Sequence, residues 1–171
     1  EVERAVRVMR RMQDLSRRSD QDEREAVDIG ELVEEVLLLC EKRCRDAGIM
    51  VELSLAGYLP SPSVVPDQIQ QVLLNLVLNA IDAMPDGGKL TVKAVRVESP
   101  AGVEISVSDT GTGIPPDVLP HLYEPFSTTK VSGLGLGLYV CRTIIARHGG
   151  NIVVDTQPAA GTTFTVWLPT G

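Results

Sequence analysis

The chain is short of basic charge. Its 171 residues carry 16 lysines and arginines against 23 aspartates and glutamates, a net charge of −7. No nucleic-acid partner is expected, because phosphate backbones select basic faces. Nucleotide binding stays open, since it needs local donors and a metal rather than a basic surface. Cysteine is also scarce: Cys40, Cys44 and Cys141 do not make a disulfide framework. Cys40 and Cys44 lie four apart in a helical stretch but lack the partners of a zinc site. All three read as small buried hydrophobes in a reducing compartment. No apolar run approaches the roughly 20 residues that span a bilayer, and no signal-peptide pattern opens the chain. The expectation is a soluble, cytoplasmic piece, even if a longer parent protein is anchored to a membrane.

What is present is an ordinary globular balance, 43% hydrophobic and 23% charged, with room for one good core. Residues 1–20 read as a charged helix, with Val2, Val6, Met9, Met12 or Gln13, and Leu15 at helical spacing among many arginines. That stripe is too narrow to stand alone. Residues 21–27 read as a polar linker, and residues 28–171 as the main domain. Asp28 is a candidate N-cap with Glu31 three residues on, for a helix running to about Ala47 and stopped by Gly48. Residues 49–55 alternate as a half-buried strand. Residues 58–66 carry three prolines and read as a loop or short edge strand. A largely apolar helix follows to Met84. Strands are expected over 89–97 and 103–108, a loop over 109–136, a helix over 137–148, and strands over 152–155 and 162–168. Adjacent strands beside segregated helices argue an α+β two-layer sandwich, its mixed, mostly antiparallel sheet covered on one face by helices.

Three features carry chemistry. Asn75 and Asn79 sit i, i+4 on one face of the apolar helix. Buried amides are costly without partners, and an asparagine carbonyl is a hard donor suited to magnesium beside phosphate oxygens. Next comes Asp109-Thr110-Gly111-Thr112-Gly113 after an apolar strand. A carboxylate there, with glycines allowing close approach, matches the exocyclic amine of adenine. The third is Gly133-Leu134-Gly135-Leu136-Gly137, opening a helix whose main-chain N–H groups can face an anion. No βαβ unit surrounds it, so a Rossmann site is excluded, and no Gly-Lys-Ser/Thr ends it as in a Walker loop. Upstream, Phe126-Ser127-Thr128-Thr129-Lys130 offers hydroxyls and an ammonium for terminal phosphates, inside a segment with the length and composition of a lid.

Taken in order, these motifs resemble the N, first glycine, F and second glycine boxes of sensor histidine kinases, in the Bergerat ATP-binding superfamily. The resemblance covers residues 28–169. The ending Asn79–Met84 and the Phe-Ser-Thr-Thr-Lys lid look most like the nitrogen-regulatory type. The resemblance implies a Bergerat fold holding ATP and Mg2+. Asn79 becomes the principal metal ligand, with Asn75 assisting. Asp109 binds the adenine amine with Thr163 in support, and Gly111 and Gly113 line the cleft. Thr128, Thr129 and Lys130 meet phosphates, and Gly133, Leu134, Gly135, Leu136 and Gly137 close over them. Asn75, Asn79 and Lys130 are the expected catalytic set. Asp82 stands where many members carry a basic residue, so its role is open.

ATPase branches of the superfamily place a water-activating glutamate where this chain has Asn75. An amide takes no proton at neutral pH, so ATP is expected to be held for transfer rather than hydrolysed. The acceptor is expected elsewhere: His121 and His148 lack the surroundings of the family's phosphorylated histidine, and His148 reads as a helix C-cap. Residues 1–20 resemble the end of the second helix of the family's dimerisation hairpin. The implied partners are that histidine-bearing dimerisation domain and a response regulator. A serine/threonine kinase of the anti-sigma-factor type and a non-catalytic nucleotide-binding module remain as alternatives.

Overall fold

The computed structural model describes residues 23–127 and 135–171; the helix expected over 1–20 lies outside them. Strand β1 (Glu25–Ala26) leads into helix α1 (Ile29–Asp46), strands β2 (Ile49–Leu55) and β3 (Ser63–Val64), and helix α2 (Pro66–Asp82). The hairpin of β4 (Gly88–Glu98) and β5 (Ala101–Asp109) follows. Helix α3 (Gly137–Arg147) and the hairpin of β6 (Asn151–Gln157) and β7 (Gly161–Pro169) end the order.

The main sheet runs β2-β4-β5-β7-β6. Only the β2–β4 pairing is parallel; the other three are antiparallel. Alternate residues of its strands, such as Leu90, Val92, Ile105, Val107, Phe164 and Val166, are buried. They pack beneath one helical layer, in which α2 contacts both α1 and α3. Ile69, Val72, Leu73, Leu76 and Val77 make α2 the most apolar of the three and place it at the centre of the core. The architecture is the mixed two-layer sandwich that the strand and helix pattern implied. No helix among the described residues is long and apolar enough to cross a membrane.

Local chemistry sets the boundaries. Asp28 caps α1, accepting the Glu31 N–H at 3.1 Å. Gly48 then reverses the chain at φ +70°. Pro66 opens α2, where its missing N–H costs nothing.

The stretch expected as linker departs from expectation. Glu25 and Ala26 pair with Val64 and Ser63, and the Val27 N–H bonds the Pro62 carbonyl at 3.1 Å. Two residues hold no readable period, and their partners lie in the proline-rich loop nearly forty residues away. Arg24 is tied to the Arg147 carbonyl at the end of α3.

His148 caps α3 and does more. Its buried ring bonds the Ile144 carbonyl through Nδ1 at 2.8 Å, and its Nε2 accepts the Val65 N–H at 3.1 Å. A main-chain N–H only donates, so Nε2 is the acceptor and Nδ1 carries the proton. The neutral ring thereby clamps the end of α3 to the start of α2.

Candidate functional site

Asp109 ends β5 and is 9% exposed. Its Oδ1 accepts the Gly111 N–H at 2.8 Å, and the Thr162 N–H also supports the carboxylate. Burial pushes its pKa above the ordinary carboxylate value, while these two donors pull it back. A held, desolvated carboxylate presents lone pairs to a ligand amine.

The loop after Asp109 lies against the end of α2. The Thr112 N–H donates to the Ala83 carbonyl at 3.2 Å, and a Cβ on Gly111 would collide with that carbonyl. On its other side the loop meets the β6–β7 hairpin. Gly113 has φ +71° with its Cα packed on Gln157, and the Thr112 carbonyl accepts the Ala159 N–H at 2.8 Å. Both glycines expected to line the cleft are therefore demanded by backbone packing.

Asn75, Asn79 and Ala83 follow one another at i, i+4, i+8 on α2, spanning about 12 Å of helix. Ala83 meets the Asp109 loop at one end of this stripe. At the other end, a Cβ on Gly137 would stand 3.9 Å from the Asn75 Cγ, so the start of α3 faces that amide. Both asparagines are half-buried. Asn75 also hydrogen-bonds the buried Cys141 thiol, and the thiol reaches the Val72 carbonyl at 3.8 Å. Burial raises the Cys141 pKa to about 12, so sulfur stays protonated and orients the amide. One helix thus joins a held carboxylate acceptor to a helix N-terminus of the kind that favours anions.

Gly135, at φ +66°, sits against the backbone of Phe126 and Ser127. The chain therefore leaves for and returns from residues 128–134 at a single point beside the start of α3. Leu136 and Gly137 are half-buried there. Thr128, Thr129, Lys130, Gly133 and Leu134 lie outside the described residues. Asp82 is exposed at the end of α2.

Thr163 requires correction as the adenine-supporting hydroxyl. It pairs with Ser108 across the β5–β7 ladder, and their hydroxyls bond at 2.8 Å. Side chains alternate across a strand, so Thr163 faces away from the helices, whereas Thr162, 5% exposed, shares the face of Asp109. The signal was available: Phe164, Val166 and Leu168 fix the inward set, and Thr162 belongs to it. Thr156 was missed altogether; it bonds Thr162 at 2.9 Å and the Ile114 N–H at 2.9 Å. An apolar groove of about 520 Å³ lies apart from these residues, between Leu37, Leu38 and Cys44 of α1 and Ile49, Val51 and Leu53 of β2.

Residues 64–171 match the family described as histidine kinase-, DNA gyrase B-, and HSP90-like ATPase. The chain belongs to this family. The sensor histidine kinase ZraS of Escherichia coli (strain K12) is 43% identical over 145 residues, covering 85% of this chain and 31% of that protein. This chain thus spans about a third of the length of that relative. The catalytic domain of histidine kinase ThkA superposes with a TM-score of 0.77 at 32% identity, covering 86% of this chain and 96% of that one. ThkA in complex with the response regulator TrrA gives 0.79 at 28%, covering 99% and 49%. Full-length ShkA in complex with AMPPNP gives 0.78 at 29%, covering 86% and 32%. The domain is of the histidine-kinase ATPase type, as the order of its motifs implied.

Proposed function

We propose that this domain binds Mg-ATP and passes the γ-phosphoryl group to a histidine on a separate dimerisation domain of its parent protein. The stripe of Asn75, Asn79 and Ala83, running from the start of α3 to the Asp109 loop, carries the reading. Asp109 accepts from the adenine amine, with Thr162 rather than Thr163 beside it, and Gly111 and Gly113 let the base approach. Asn79 is the principal magnesium ligand and Asn75 its assistant. Two half-buried amide oxygens fit this metal, which prefers hard oxygens and takes few protein ligands beside phosphate. Magnesium, when bound, neutralises charge on the phosphates. Thr128, Thr129, Lys130 and the Gly133–Gly137 run contact those phosphates from the lid.

Asn75 cannot accept a proton from water, which favours transfer over hydrolysis. His148 is buried and doubly bonded, which supports an acceptor from elsewhere. A response regulator is the downstream partner, in line with the ThkA complex with TrrA. The nitrogen-regulatory subtype, residues 1–20 as the end of a dimerisation-hairpin helix, and a cytoplasmic setting belong to the same proposal.

The test is binding of an ATP analogue with magnesium, followed by incubation with labelled ATP and a histidine-bearing dimerisation domain. Asn79→Ala should weaken magnesium-dependent binding at least tenfold. Unchanged affinity overturns the metal assignment, and label found on serine overturns the histidine reading.

A further inference from the structure

Thr156 lies on β6 directly opposite Thr162, and Thr162 on β7 lies opposite Asp109. The three side chains thus cross the sheet in one row beneath the proposed base site. Thr156 Oγ1 makes three contacts: it accepts the Ile114 N–H at 2.9 Å, reaches the Gly161 carbonyl at 3.1 Å, and meets Thr162 Oγ1 at 2.9 Å. A hydroxyl has one hydrogen and two lone pairs. One lone pair is taken by Ile114. The Gly161 carbonyl only accepts, so it takes the hydrogen. The second lone pair is left for Thr162, whose own hydrogen must then point back at Thr156.

We propose that Thr156 is a positioning residue that fixes the Thr162 hydroxyl as an acceptor and so sets base specificity; this rests on the adenine reading of Asp109. With its hydrogen turned away, Thr162 shows lone pairs alone toward the base, beside the carboxylate of Asp109. The row is then purely accepting. It fits an exocyclic amine and opposes a ring carbonyl at the same position, so with the 6-substituent placed there adenine is favoured over guanine. The contact to Ile114 also ties the end of the Gly111–Gly113 loop to the sheet, which keeps the base at the right depth.

Removing the Thr156 oxygen frees the Thr162 hydrogen to swing toward the ligand, where it can serve a carbonyl. Thr156→Val keeps the shape of the side chain and deletes all three bonds. The expected result is about tenfold weaker binding of an ATP analogue with magnesium, and a much smaller loss for the matching GTP analogue, so that the preference for ATP narrows several-fold. Thr156→Ser keeps the oxygen and should retain the wild-type preference. If the valine protein does not fold, Thr156→Ala, which removes the same oxygen without burying a second methyl, is expected to show the same narrowing. Equal loss for both nucleotides would mean that Thr156 only holds the loop, and no loss would mean it does neither; each outcome overturns the proposal. Asp109→Ala separates the two levels: unchanged ATP-analogue binding there brings down the adenine reading itself. A large loss there beside an unaltered preference in Thr156→Val brings down this inference alone.

Discussion

Gly113→Ala and Gly137→Ala look alike in sequence, since both glycines belong to phosphate- or base-binding motifs, yet the structure separates them. At Gly113, φ is +71° and an added Cβ would run into the Gln157 carbonyl, with the Pro158 Cα only 3.1 Å away. A left-handed alanine costs about 1–2 kcal/mol. Relief of the clash must push the loop off the β6–β7 hairpin, where it is held by Ala159 N–H to Thr112 carbonyl at 2.8 Å and Ile114 N–H to Thr156 at 2.9 Å. Each such bond contributes about 1 kcal/mol net. The loss sums to about 3–4 kcal/mol, or about 10 °C in Tm for a domain of this size. At Gly137 the nearest atom to a new Cβ is the Asn75 Cγ at 3.9 Å, an ordinary contact, and the residue opens a helix. Alanine there should leave stability within about 0.5 kcal/mol of wild type or raise it slightly. Denaturant unfolding and thermal melts without nucleotide measure both variants. Equal stability of the two, or a Gly113→Ala protein within about 0.5 kcal/mol of wild type, would refute the claim that the loop is held by backbone packing.

Asp109 should give two opposed pH responses. Its pKa is raised by burial, so its contribution to stability is full below the ordinary carboxylate pKa and is lost as pH rises through the raised value. Nucleotide binding needs the ionised acceptor and should strengthen with pH over the same window. Asp109→Asn is expected to flatten both profiles, and profiles that persist in the variant would contradict the assignment. The three cysteines are buried, and burial raises the pKa of each, that of Cys141 to about 12. None should react with a thiol reagent at neutral pH until the protein unfolds; a fast native equivalent, counted by absorbance or mass, would refute this. His148→Ala would orphan the Val65 N–H and remove the ring's bond to the Ile144 carbonyl, which keeps the main-chain N–H of residue 148, a loss of about 1–3 kcal/mol in denaturant unfolding. A loss below about 0.5 kcal/mol would mean that the α2–α3 clamp is not holding the helices.

Near-neighbour chemistry was legible in the sequence because its causes are local. Asp28 caps the residue three positions on, Gly48 stops the helix that precedes it, and Phe164, Val166 and Leu168 alternate against solvent-facing partners. Motif order carried the family, since each box is a short run with its own chemistry. Other features depend on residues brought together from far along the chain, and no period or turn marks them. The β1–β3 pairing, the bond from Val65 to His148 across 83 positions, and the meeting of Asn75 with Gly137 are of this kind. Sheet register put Thr162, not Thr163, on the face of Asp109, because a shift of one residue turns a side chain to the opposite face. The sequence by itself determined which groups were available: two amides, a carboxylate, a glycine-opened helix and no general base at position 75. Tertiary structure alone decided which of them face one another, because only packing α2 and α3 on one face of the sheet lines up Asn75, Asn79 and Ala83 between Gly137 and the loop of Asp109.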